Sequence, residues 1–177
     1  MKLEFIFSIL CAAIVYSCTE KNTSEPLEVP VEYVELPADK FNAVELNNQI
    51  SNIQIGATKL IENVFRSDTS DIDQNRQDAI FELEVSISRL RQLGEQHAQA
   101  ANFTNAVIKL LAYYLFEFQN DFTEVIMILK QQEYNDHDQL FLGNYDKKFA
   151  EQEAILFQEI IVQQDSFAAN FKINMAN

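Results

Sequence analysis

Tryptophan is absent from this chain, and glycine and proline occur only three times each. So few turn-forming residues do not suit the frequent reversals of a β sandwich or barrel; they suit long uninterrupted helices. Cysteine is as scarce: the two present, Cys11 and Cys18, both lie near the N-terminus. No disulfide framework therefore holds the rest of the chain together. Basic residues are the remaining shortage, with 13 Lys and Arg against 27 Asp and Glu, a net charge of −14 and a pI near 4.4. A surface of that sign repels phosphate backbones and argues against a nucleic-acid partner.

What the chain does have is apolar content, 47% of 177 residues. That suffices for one buried core, is too short to expect two, and is incompatible with disorder throughout. The most apolar stretch is 103–130, FTNAVIKLLAYYLFEFQNDFTEVIMILK. Phe103, Val107, Leu110, Tyr114, Phe118, Val125 and Leu129 recur there at steps of mostly three and four, the spacing of one helix face. Leu111, Leu115, Phe122 and Ile126 widen that face, and Ile108, Phe116 and Ile128 carry it around the far side. The pattern predicts a single helix enclosed by several neighbours at the centre of the core. It does not predict a membrane span, because Lys109, Glu117, Asp121 and Glu124 interrupt a run that would need about 20 apolar residues.

Three more helices are expected around it. The first covers 39–66, with Phe41, Ile50, Ile53, Ala57, Leu60, Ile61 and Val64 inward and a Glu62–Arg66 pair at the i,i+4 spacing. After a polar break at 67–70, Ser70 serves as cap and Asp71 and Asp73 as first-turn carboxylates for a second helix bearing Ile80, Leu83, Ile87, Leu90 and Gly94. Arg89 and Arg91 lie toward its negative end. Short hinges at 99–102 and 131–136 flank the central helix. The last helix, 138–171, aligns Phe141, Tyr145, Phe149, Leu156, Ile160, Phe167 and Phe171, with Gly143 as a place to bend or to separate an initial turn. The expected fold is all-α, an up-and-down four-helix bundle over residues 39–177.

The N-terminal segment reads differently. An apolar run from Phe5 to Tyr16 follows Lys2, the length of a signal-peptide core and too short for a permanent anchor. Residues 1–17 are thus expected to be a cleaved signal peptide. Val15, Tyr16, Ser17 and Cys18 resemble a bacterial lipobox, although Tyr16 departs from the usual small or aliphatic residue. The resemblance implies that Cys18 is lipidated and becomes the mature N-terminus; ordinary cleavage near Ser17, with Cys18 an incidental thiol, is the other reading. Several acyl chains on one residue give stable membrane anchoring. Removing 1–17 takes Lys2 and Glu4 together and leaves the charge at −14, which disfavours further docking to anionic lipid. Residues 18–38 then form the lipidated cysteine and an extended tether, because Pro26, Pro30 and Pro37 disfavour helix, with Val29, Val31, Tyr33 and Leu36 able to rest along the domain surface. Thr19, Glu20 and Lys21 look like the charged surface-export signals of some bacterial lipoproteins.

Together with the four helices and the closing residues Gln164, Asp165, Ser166, Phe167, Ala168, Ala169, Asn170 and Phe171, these features resemble uncharacterised small helical-bundle surface lipoproteins of Bacteroidota and spirochaetes. The resemblance implies a surface or envelope location and no known catalytic residues; the outer membrane is the expected place, with periplasmic and outward-facing display both open.

A di-iron bundle needs Glu-x-x-His on two helices, but Gly94 and Tyr134 stand three residues before His97 and His137. Asp136, His137 and Asp138, after Glu133, suit either a divalent ion or an acidic helix start, and the helix start is the simpler account. Asp71, Asp73, Asn75, Gln77 and Glu82 have EF-hand spacing, yet Arg76 occupies the position of the turn glycine. No Ser/His/Asp set, Cys/His pair or Gly-rich phosphate loop can be assembled. Tyr113, Tyr114, Phe116 and Phe118 suit an apolar pocket or, at helical spacing, core packing. The sequence therefore nominates Cys18 for lipidation and no catalytic, metal or cofactor residue. The expected function is a membrane-anchored envelope lipoprotein whose acidic bundle is a non-enzymatic interaction or structural module for an unidentified protein partner. The alternative is a ligand-binding bundle holding a small apolar molecule or a metal ion.

Overall fold

The structure is a computed structural model, and it describes residues 42–131 and 133–173. The signal segment, Cys18, the proline-bearing tether and the residues Asp39, Lys40 and Phe41 lie outside the described residues. Within them the chain is all-helical, with α1 at Ala43–Phe65, α2 at Ile72–Gln96, α3 at Ala101–Gln119, α4 at Phe122–Leu129 and α5 at Asp136–Phe171. A 3-10 turn at Ala98–Ala100 joins α2 to α3. No described helix is long and apolar enough to cross a membrane.

Two of the helices, α1 and α5, begin at a side-chain cap. The Asn42 side chain accepts from the Glu45 N–H and starts α1. Asn135 and Asp138 form a reciprocal capping box at the start of α5, with Asn135 accepting from the His137 and Asp138 N–H groups and Asp138 accepting from the Asn135 N–H. The start of α2 differs from expectation: Asp71, not Ser70, is the cap residue, and its side chain makes no capping bond. The Glu62–Arg66 pair is present at 3.9 Å. Gly143 does not divide α5, which runs through it for 36 residues, roughly 54 Å at 1.5 Å per residue. That helix ends at Lys172 in the left-handed conformation (φ 54°), with the Ile173 N–H donating to the Ala168 carbonyl as in a Schellman motif.

The predicted single helix at 103–130 is two helices. The cause is local: Asn120 Nδ2 donates to the Phe116 carbonyl at 2.8 Å, so this side chain competes with the backbone ladder. Asn120 takes φ −119°, ψ −90°, outside the helical region, and α4 restarts at Phe122. The carbonyl freed at the break does not go unanswered. Arg76 on α2 donates through Nη1 to the Phe118 carbonyl at 2.9 Å and to Thr123 Oγ1 at 2.8 Å, and Lys130 pairs with Asp73.

The core sits where the helices converge on α3. Leu110, Leu111, Tyr114 and Phe118 of α3 are fully enclosed, as are Ile50 and Ile61 of α1, Leu83 and Leu90 of α2, Phe122 of α4 and Ile160 of α5. The most extensive contact is between α2 and α3, followed by α1 with α2 and α3 with α5. Gly94 explains part of it, since a Cβ there would stand 2.8 Å from Thr104 Oγ1. Phe116, expected to belong to the enclosed surface, is 56% exposed, so its side of α3 faces solvent.

Candidate functional site

Two features stand out against this core: a buried polar cluster where α1, α3 and α5 meet, and an open groove between α1 and α2. The cluster lies beside eight-residue α4 and is set among aromatic rings. Phe65 packs edge-on against Phe118, Phe122 and Phe149, and Tyr114 stacks on Phe149 at a 5.9 Å centroid separation. Tyr145 touches Phe122 and Phe149. Edge-to-face and offset contacts of this kind stabilise beyond the area they bury.

Two carboxylates are buried in the same region, Glu117 on α3 and Glu153 on α5. Tyr114 Oη donates to Glu153 Oε1, and that bond is itself enclosed. Burial raises the Glu153 carboxyl above its ordinary range, partly opposed by the Tyr114 hydrogen bond. Burial also raises Glu117, against the pull of Lys148, whose Nζ lies 3.9 Å from Glu117 Oε1 and 3.1 Å from Asp121 Oδ2. Lys148 in turn is raised by its hydrogen bond to Asp121 and the charge of Glu117. Burial and then the Glu117 charge push the Tyr113 and Tyr145 hydroxyls far upward, while burial and Glu153 do the same for Tyr114. Glu117 Oε2 and Tyr145 Oη are both buried without a hydrogen-bond partner among the described residues.

Burial shifts the carboxyls of the cluster toward the neutral form and keeps its phenols protonated, and rings fill the space around them. Sequence reasoning missed both acids. A signal was available: Glu153 interrupts the apolar line Phe149, Leu156, Ile160 at core register, and Glu117 lies beside Tyr114 and Phe118 on the buried face.

The residues nominated from sequence fall elsewhere. His97 caps the C-terminal end of α2, and Asp136, His137 and Asp138 form the first turn of α5. Asp71 to Glu82 is the start of α2, not a calcium loop. Among the described residues no group of three or more His, Cys, Asp and Glu side chains is placed to hold a metal ion. Tyr114 and Phe118 are core, Tyr113 is partly buried and Phe116 is exposed, so the four do not line one pocket.

The groove is the reverse of the cluster. It has a volume of about 810 Å³ and is lined by Ile53, Gly56, Ala57 and Leu60 of α1 and by Glu82, Ser86, Arg89 and Leu93 of α2, among others. Gly56 opens it, because a Cβ there would meet nothing within 4 Å. Comparison with protein-family models, with curated proteins and with solved structures yields no match for this chain.

Proposed function

We propose that this protein is a bacterial envelope lipoprotein, anchored in the outer membrane through Cys18 and facing outward, whose acidic helical body is a non-enzymatic interaction or structural module. The observation that carries the reading is Cys18 itself, a cysteine that closes an apolar run and stands in front of a proline-bearing segment. We further arrange the body as an up-and-down four-helix bundle of α1, α2, α3 and α5, with α4 a short addition at one end. Support for this arrangement comes from the short connections 66–71 and 97–100 and from the close contacts of α2 with α1 and α3 and of α3 with α5. Support for an interaction module comes from the surface. Phe81, Val85 and Met127 are apolar and exposed, and the groove opens outward, while the aromatic rings of the interior are packed on one another.

Protease shaving and membrane fractionation of cells producing the wild type and Cys18→Ser test the proposal. The wild type is expected in the membrane fraction and shaved, and the variant released. Fractionation unchanged by the substitution overturns the anchor; a protected, membrane-bound wild type overturns outward display.

A further inference from the structure

The α1–α2 groove differs in charge from the molecule as a whole. In a chain with 27 acids against 13 bases, its lining holds one of each, Glu82 and Arg89, and every other lining residue is uncharged. Both charged side chains are exposed, and neither forms an ion pair among the described residues. Two copies of so acidic a chain repel wherever acids meet acids, and a face with balanced charge escapes that cost.

The spacing of the pair is what matters. Glu82 and Arg89 stand seven residues apart on the same lip of the groove, two turns or roughly 10.5 Å along α2, with Val85 and Ser86 midway. The short connection 66–71 turns the chain back, which sets Leu60 with Glu82 at the loop end of the groove and Gln49 with Leu93 at the far end. Gly56 on α1 and Ser86 on α2 each lie one turn in from that loop end, and so share the middle level. A two-fold axis across the groove at this level, perpendicular to α2, brings Glu82 of one copy opposite Arg89 of the other and Arg89 opposite Glu82. An isologous interface requires such self-complementarity. Two charges of one sign in those places would instead meet their like.

The remaining lining suits the same approach. Gly56 faces its own counterpart near the axis, where a Cβ meets nothing within 4 Å in one copy and the space is open to the other. Ile53, Leu60 and Leu93, partly buried on the core, and Val85, 40% exposed, supply apolar contact. A foreign partner would have to bring its own acid and base at the same spacing in reversed order; a second copy has them by symmetry.

We propose that the α1–α2 groove is a self-association surface on which two copies of this chain meet about a two-fold axis at the level of Gly56 and Ser86, with α2 antiparallel to its counterpart and two reciprocal Glu82–Arg89 ion pairs. The proposal rests on the reading of the body as an interaction module and names its partner; the anchor at Cys18 plays no part in it. A groove roughly 17 Å long makes a small interface, so the ion pairs set its register.

Co-purification of two differently tagged full chains, produced together and extracted in mild detergent, tests it. Wild type should recover wild type. Glu82→Arg should fail to recover Glu82→Arg, and Arg89→Glu should fail to recover Arg89→Glu, with yields lowered about tenfold or more by the facing like charges. Glu82→Arg mixed with Arg89→Glu should return the wild-type yield, since every facing pair is again opposite. Circular dichroism melting checks that the variants fold. Where a single reversal does not, the double reversal in one chain keeps the net charge and carries the test: it should recover itself and not the wild type. Wild-type chains that do not co-purify, yields indifferent to the reversals, or losses that mixing does not restore would each overturn the proposal. None of these results moves the membrane fractionation that tests the anchor.

Discussion

The two helix interfaces of α1 and α3 with their neighbours solve opposite packing problems. Where α3 meets α5, large rings occupy the interface, and the acids that share the face, Glu117 and Glu153, are carried inside with them. Where α1 meets α2, Gly56 and Ala57 occupy the corresponding face, nothing large fills the space, and a groove remains with its polar side chains in water. Side-chain volume thus decides whether a polar group at a helix interface is buried or solvated. The first arrangement places titratable groups in the interior, and the second leaves an exposed surface for recognition.

The contrast can be broken most severely by removing a ring. Phe118→Ala should cost about 3–5 kcal/mol in denaturant unfolding, because Phe65 and Phe122 close on it and cannot collapse into the space. A loss below about 1 kcal/mol would show that this interface is not packed as described. Tyr114→Phe keeps the ring and deletes only the hydroxyl, so Glu153 is left buried without its donor; the expected loss is about 1–3 kcal/mol.

Acidity sharpens the same comparison. The carboxyls of Glu117 and Glu153 are raised above their ordinary value of 4.5 in the folded protein, chiefly by burial, so the fold binds these protons more tightly than the unfolded chain. Their stabilising contribution is complete below pH 4.5 and is lost as pH rises through the raised folded values. Stability measured from neutral pH downward should therefore increase, and Glu117→Gln should flatten that rise. A variant with the wild-type pH profile would refute the assignment to Glu117. The smallest effects come from glycine. Gly56→Ala, in open space on a helix, should stabilise by up to about 1 kcal/mol, whereas Gly94→Ala, whose Cβ would meet Thr104 Oγ1 at 2.8 Å, should fail to gain and instead destabilise.

Much of this architecture is legible in the sequence because helical periodicity survives in every element. Leu83, Ile87 and Leu90 are buried as their spacing requires, and α5 holds Tyr145, Phe149, Leu156, Ile160 and Phe167 on one buried face. The division at Asn120 escaped the same logic for a physical reason. Tyr114, Phe118, Phe122 and Ile126 follow one another at fours across the break, so the apolar pattern does not change phase where the backbone does. Only the Asn120–Asp121 pair hinted at it, through the tendency of such side chains to bond nearby backbone. The buried acids were hidden differently. With 27 candidates, charge alone selected none, and what distinguished Glu117 and Glu153 was register on an aromatic face. The groove depended on which small residue lacked a neighbour, a relation between helices that no single helix pattern contains.

The break at Asn120 has a consequence for the order in which the molecule assembles. At eight residues, α4 is too short to persist as an isolated helix in water, yet Phe122, Val125, Ile126, Ile128 and Leu129 are all buried. Its helical state exists only on a surface already built by its neighbours, held there by Arg76 and Lys130. In a chevron experiment Val125→Ala should accordingly leave the refolding arm nearly unmoved and speed unfolding, making α4 a late-forming clasp that sets how long the native state lasts.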